Sequence, residues 1–370
     1  MHVQKTTGIS GSERHLLSLL PALASRGVEV VMVVLAAGES QRFVEAMLSA
    51  GVEAVSIPAG PDVNPMAGWQ LLAEIRRRRP NLVHTHLIHA DLHGQAAARF
   101  AGVGGISTVH STHKFYGRQP YRSLAALAYR NTRATVAISK HVADMLCSLK
   151  LATPGRVRVV PYGLDSGLFV SNEQERKEAR AHFGVDDSVT TVGMASRLIA
   201  NKGHEFLIEG MAAAQARGVP LQLLVAGDGP LRSDLERLAA DRLVPGTWKF
   251  VGFVADVRRF LAASDIGAFL TQPALSEGFG LAALETMAAG IPVVVTDMGP
   301  LPELVEDGNT GFVVPPTSVD ALSTALVTLA CDHGRRARLG ERAHLRAKEK
   351  FGLDRMVSST VEVYEEALGA

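Results

Sequence analysis

Ser276-Glu277-Gly278-Phe279-Gly280-Leu281-Ala282-Ala283-Leu284-Glu285-Thr286-Met287-Ala288-Ala289-Gly290-Ile291-Pro292-Val293-Val294-Val295-Thr296 is the stretch that decides the fold. It reads as loop, helix, strand. Glycines 278 and 280 mark the loop. Leu281, Leu284 and Met287 recur at helical spacing among helix-favouring alanines. Gly290 stops the helix, and Ile291-Pro292 turns the chain. Val293 to Val295 is a β-branched run, as in a strand buried on both faces.

This order of elements suits a nucleotide diphosphate. A helix N-terminus presents unpaired N–H groups and a partial positive charge. Gly278 and Gly280 let an anion come close to them. Glu277 precedes the helix end and Glu285 lies inside it. Ionised carboxylates only accept hydrogen bonds, and sugar and ribose hydroxyls donate them. Eight helical residues rise roughly 12 Å, so the two carboxylates can reach opposite ends of one nucleotide-sugar. The plainer reading makes the glutamates caps or solvated residues. The flanking glycines and strand favour the ligand.

The totals bound the rest. The 370 residues suit two domains with sizeable cores. A net charge of +1 gives no global field for nucleic acid, which is not expected as a partner. Cys147 and Cys331 are far apart and form no metal or redox motif, so a reducing, cytoplasmic setting is expected. No apolar run reaches about 18 residues, so membrane association is expected to be peripheral at most.

Strands and helices alternate along the whole chain. Met1 to Gln4 is a very short first strand, and Leu16, Leu17, Leu19, Leu20 and Leu23 mark a helix. Strands are expected at 28–35, 52–57, 82–85, 106–109, 135–138 and 157–160. The second half adds 189–194, 221–226, 249–251, 266–270, 293–295 and 312–314. This βαβ rhythm predicts two parallel sheets, and right-handed crossovers make two Rossmann-like domains facing across a cleft. The polar stretch Asn172 to Arg180 reads as a linker with an exposed helix, and Leu353 to Leu368 as a final amphipathic helix. Arg76 to Arg79 reads as a solvated helix end that complements the macrodipole. His84, His86, His89 and His93 lack the cysteine or carboxylate company of a metal site. A helix starting near Leu87 would keep the four rings from converging, so no metal is assigned.

Glu-Gly-Phe-Gly-Leu…Glu-Thr-Met-Ala-Ala-Gly-Ile-Pro-Val-Val resembles the signature of the large retaining glycosyltransferase family of GT-B fold, family 4. Its members carry two glutamates separated by seven residues, as Glu277 and Glu285 are. Other points along nearly the whole chain agree. Ser10-Gly11-Ser12-Glu13 is similar to a Gly-Gly-x-Glu loop, with Ser10 for the first glycine. His110 matches a histidine that contacts the donor sugar. Pro161-Tyr162-Gly163-Leu164-Asp165 resembles a Pro-Asn-Gly-Val-Asp hinge, with Tyr162 for asparagine. Arg197-Leu198…Lys202-Gly203 resembles the element that holds the diphosphate, and Gly227-Asp228-Gly229-Pro230 a Gly-x-Gly-Pro turn. Family first strands are usually longer than Met1 to Gln4, so a shortened start is expected.

The resemblance implies an N-terminal acceptor domain (1–168), a C-terminal nucleotide-sugar domain (169–352), and a helix (353–370) crossing back to the first. It implies His110, Arg197, Lys202 and Glu277 as catalytic. It places Gly11, Gly227, Val251, Gly278, Phe279, Gly280, Leu281 and Glu285 on the donor, and Ser12, His86 and His113 near the acceptor. The implied reaction moves a hexose or N-acetylhexosamine from a nucleotide diphosphate sugar, UDP favoured, to a hydroxyl on a glycan, lipid carrier or natural product. No Asp-x-Asp pair occurs, so Arg197, Lys202 and the helix end are expected to stabilise the leaving group without metal or other cofactor. Two alternatives are a nucleotide-sugar epimerase or hydrolase of the same fold and a non-catalytic nucleotide-sugar-binding subunit. An acceptor-dependent product separates the first, and activity of the isolated chain the second.

Overall fold

The computed structural model describes residues 1–60, 64–112, 114–272 and 277–369. Its contacts divide the chain into two compact units, Met1–Gly163 with Leu353–Ala370, and Leu164–Gly352.

The first unit runs β1 (His2–Thr6), α1 (Gly11–Ser25), β2 (Val31–Ala36), α2 (Gln41–Ser49), β3 (Glu53–Pro58), α3 (Pro65–Arg78) and β4 (Leu82–His86). It continues through α4 (Ile88–Ala101), β5 (Gly104–Val109), α5 (Tyr121–Arg130), β6 (Ala134–Ala137), α6 (Lys140–Ser148) and β7 (Val157–Val159). The strands pair in parallel in the order β3-β2-β1-β4-β5-β6-β7. The order reverses between β1 and β4, where such sheets bind ligands at their carboxyl ends. Short as it is, β1 is central, with His2 opposite Met32 on one side and His84 on the other.

The second unit runs α7 (Glu173–Phe183), β8 (Thr190–Ala195), α8 (His204–Ala216), β9 (Leu221–Ala226), α9 (Arg232–Arg242), β10 (Trp248–Phe250) and α10 (Val257–Ala262). Then come β11 (Ile266–Phe269), α11 (Leu281–Ala288), β12 (Val293–Thr296), α12 (Leu301–Leu304), β13 (Gly311–Val314), α13 (Val319–Cys331) and α14 (His333–Phe351). The sheet order β10-β9-β8-β11-β12-β13 reverses between β8 and β11. All pairings are parallel, and the fold is two Rossmann-like units of GT-B type.

The last helix, α15 (Leu353–Leu368), belongs to the first unit. Its Met356, Val357, Val363 and Ala367 share a core with Leu16, Leu19, Leu20 and Leu23 of α1. Burying each large apolar side chain contributes roughly 1.5–3 kcal/mol, enough to hold a terminal helix in place.

Three expectations need correction. The boundary falls at Gly163/Leu164 rather than at 168, because the Leu164 N–H donates to the Phe351 carbonyl at 3.0 Å and Phe169 packs on the second unit's core. The helix after it is not simply exposed. Arg180 is 3 % exposed and donates to Asp187 at 2.6 Å and Asp265 at 3.2 Å, tying α7 to the sheet. The arginine run is not merely solvated: Arg78 donates to Glu74 at 2.7 Å and to Glu53 at 2.5 Å, pinning α3 to β3. Among the described residues, no helix is long and apolar enough to cross a membrane.

Candidate functional site

In the second unit a cavity of ≈ 210 Å³ opens at the reversal between β8 and β11. Met194 to Arg197 line it from the end of β8, and Phe269 to Thr271 from the end of β11. Lys202, Glu277, Leu301 and the first turn of α11 from Gly280 complete the wall. Gly280 caps α11 in the left-handed region, φ +95°, and a Cβ there would lie 2.8 Å from Leu301 Cδ2. Only glycine fits both demands, and its smallness leaves the helix N–H groups open to the cavity. Arg197 is exposed, with its guanidinium available to an anion.

Lys202 Nζ donates to Glu277 Oε2 at 2.5 Å, and both side chains are about four-fifths buried, at 21 % and 20 % exposure. A cation and a carboxylate expected to serve different parts of one ligand thus hold each other in place. Glu285 lies one helical turn further along α11 and is 8 % exposed. Gly278 and Phe279 are buried in the loop before the helix, and the Phe279 ring meets Phe351 edge-on at 6.0 Å.

Gly227 and Val251 stand in the adjoining turns, outside the cavity wall. The Gly227 φ is +130°, and a Cβ there would meet the Ser196 carbonyl at 1.9 Å. Its N–H donates to Gly252 O at 2.7 Å, and Val251 N–H donates to Val225 O at 2.9 Å. Gly227 is therefore explained by close backbone packing behind Arg197.

In the first unit Gly11 and Ser12 open α1, which Ser10 caps reciprocally with Glu13. The Ser10 N–H donates to Glu13 at 3.0 Å, and Gln4 donates both to Ser12 at 3.2 Å and to Glu13. Glu13 is 3 % exposed, so it shapes this loop from within. His113 and Ser276 lie outside the described residues.

The histidines correct a further expectation. The rings of His84 and His86 do converge, with three others that sequence spacing could not supply: His2, His15 and His110. Parallel pairing sets His2 beside His84, and β4 and β5 end side by side. His2, His84 and His86 bring ligand-type nitrogens within 4.8 Å of one another. His89 and His93 face elsewhere on α4, where the His93 ring bonds the His89 carbonyl at 2.8 Å and accepts from the Asn64 N–H at 3.1 Å.

Burial, followed by the mutual repulsion of neighbouring rings, holds His2, His84, His86 and His110 well below the usual histidine range. Burial alone lowers His15 to about 3. All five rings are neutral at neutral pH. Nearby, burial raises Asp91 to about 7 against the bonds it accepts from Ser107, Thr85 and Tyr129. In the second unit His204, whose ring meets Ser196 Oγ at 3.1 Å, is lowered to about 4 by burial and then by Lys202.

Two family models match, Glycosyltransferase Family 4 over residues 9–168 and Glycosyl transferases group 1 over residues 175–346. This chain is a group 1 glycosyltransferase of family 4. Among its relatives, the alpha-D-kanosaminyltransferase of Streptomyces kanamyceticus is 28 % identical over 318 residues, 80 % of this chain and 81 % of that one. A D-inositol 3-phosphate glycosyltransferase of Actinosynnema mirum is 29 % identical over 401 residues, 98 % of this chain and 94 % of that one. The solved structure of Anabaena Alr3699/HepE in complex with UDP shares the glycosyltransferase's fold, with a TM-score of 0.87, 21 % identity and 98 % of each chain covered.

Proposed function

We propose that this glycosyltransferase moves a hexose or N-acetylhexosamine from a UDP-sugar to a hydroxyl of a glycan, lipid carrier or natural product, with retention at the anomeric carbon. The observation that carries it is one cavity joining Arg197, Lys202, Glu277 and the open N-terminus of α11. Two cations and aligned N–H groups match the charge that grows on a leaving diphosphate, and removing one such donor typically costs ~10²–10³ in rate. The leaving phosphate takes the acceptor's proton, so no side-chain nucleophile is needed. Lys202 and Arg197 hold the diphosphate, Glu277 and His110 orient the sugar, and Glu285 accepts from the ribose. With this charge carried by protein groups, and with no Asp-x-Asp pair in the sequence, transfer runs without a divalent metal. The uridine choice is supported by Alr3699/HepE, solved with UDP and with UDP-glucose. The absence of a membrane-crossing helix among the described residues fits a cytoplasmic donor pool.

A melting screen tests the donor, since a ligand that binds only the folded state raises Tm by mass action. UDP-glucose and UDP-N-acetylglucosamine are expected to raise Tm more than GDP-mannose. No rise with any nucleotide-sugar contradicts the proposal.

A further inference from the structure

Seven buried or half-buried groups of the first unit join end to end. Tyr162 OH meets His110 Nδ1 at 2.6 Å. His110 Nε2 meets His86 Nδ1 at 3.0 Å, and His86 Nε2 meets His2 Nδ1 at 2.9 Å. His2 Nε2 meets Tyr364 OH at 3.1 Å, which in turn meets His84 Nδ1 at 2.8 Å. His84 Nε2 ends the row on Thr108 Oγ1 at 2.7 Å. The polar atoms come from β1, β4, β5, α15 and the segment after β7, so no stretch of sequence displays the row.

A neutral imidazole has one N–H and one lone pair, and a hydroxyl has one hydrogen. Each contact in the row needs one hydrogen, so the direction of any one bond fixes all the others. Two arrangements exist. In one, Tyr162 donates, every ring carries its proton on Nε2, and Thr108 accepts. In the other, Thr108 donates, every ring carries its proton on Nδ1, and Tyr162 accepts. A phenol is the more acidic hydroxyl, hence the better donor and the poorer acceptor. The first arrangement is therefore favoured.

We propose that these groups form one relay that sets which nitrogen of His110 carries the proton, and that Tyr162 is the positioning residue at its end. The consequence rests on the proposed contact between His110 and the donor sugar. With Nε2–H committed to His86 and the Nδ1 lone pair taken by the Tyr162 hydroxyl, both nitrogens of His110 are engaged, so the relay fixes the orientation of its ring. Tyr162 stands where the family has asparagine, and its ring stacks on His15 at 4.3 Å, which fixes its hydroxyl toward His110. The low proton affinity of the buried rings keeps the relay neutral, as the two arrangements require.

The test is the effect of Thr108→Val on distant rings, read in long-range proton–nitrogen spectra of the full chain. The substitution keeps the side-chain shape and deletes the terminal acceptor of the favoured arrangement, which would leave the buried His84 Nε2–H unpaired. Wild type is expected to show Nε2–H at His2, His84, His86 and His110. Thr108→Val is expected to move all of them together toward Nδ1–H, with Tyr162 accepting at the far end, His110 included, although His110 does not bond to Thr108. Tyr364→Phe cuts the row, and in that background Thr108→Val must leave His110 unmoved. It also serves if Thr108→Val alone does not fold, since it should uncouple His84 from the rest. Unchanged tautomers at His2 and His110 in Thr108→Val overturn the relay. So does stoichiometric zinc retained by the purified protein on His2, His84 and His86, because a metal takes the lone pairs that the row uses. With UDP-glucose as the probe, UDP release should fall about tenfold in kcat for Tyr162→Phe, with KM little changed. If wild type releases no UDP but the rings still move together, the relay stands and the reading of His110 as a sugar contact falls.

Discussion

Acid should unfold the first unit before the second. Five of its rings are neutral in the fold, His2, His15, His84, His86 and His110. Unfolded, each titrates near 6.5. A depressed folded pKa means that the unfolded chain binds the extra protons, so stability is lost as pH falls through about 6.5. From pH 7 to pH 5 each ring costs about 2 kcal/mol, or roughly 10 kcal/mol for all five. Asp91 acts in the opposite sense. Its folded value of about 7 lies above its unfolded one, so it regains about 2 kcal/mol over the same range. The net loss of roughly 8 kcal/mol falls inside the typical total stability of 5–15 kcal/mol. The second unit has one comparable group, His204 at about 4, worth about 2 kcal/mol. Peptide-resolved hydrogen exchange at pH 7, 6 and 5, corrected for intrinsic rate, separates the units. Protection of β4 and β5 should collapse near pH 5 while that of β12 persists. Equal loss in both units, or full protection of β4 at pH 5, would refute the assignment of neutral rings.

Turnover of the nucleotide-sugar should be unaffected by excess EDTA; loss of activity restored by Mg²⁺ or Mn²⁺ contradicts this. Glu285→Ala should weaken free UDP about tenfold or more, since a hydrogen bond to a charged group is worth roughly 1.5–3 kcal/mol. Glu277→Ala should mainly lower turnover, and equal loss of UDP affinity in both variants reverses the assignment. Gly280→Ala combines a left-handed backbone with a clash on Leu301, so it should cost about 2 kcal/mol and lower Tm by ~4–8 °C, checked by calorimetry.

Local pattern carried most of the fold. The strand over 221–226 and the last helix over 353–368 coincide with the expected bounds, because the hydrophobic period lies within each segment. Glu277, Gly280, Arg197 and Lys202 were legible as a set because their motifs sit at strand and helix ends of the second half. The Lys202–Glu277 pair was not, since 75 residues separate its members and only the sheet order joins them. Arg180 misled because its charge reads as solvent-facing until Asp187 and Asp265 close around it. The histidine row was invisible for the same reason. Spacing along α4 argued against convergence, while pairing between β1, β4 and β5 produced it with other partners. Gly227 was legible as a special residue, but its reason is the Ser196 carbonyl behind it.

The most direct measurement is calorimetric titration of UDP into wild type and into Arg197→Ala and Lys202→Ala. In the proposed function the cavity at the N-terminus of α11 holds the diphosphate by these two cations and the helix N–H groups. Each variant should therefore bind UDP about tenfold or more weakly, by roughly 1.5–3 kcal/mol per charged hydrogen bond. UDP affinity equal to wild type in both variants would contradict the placement of the donor.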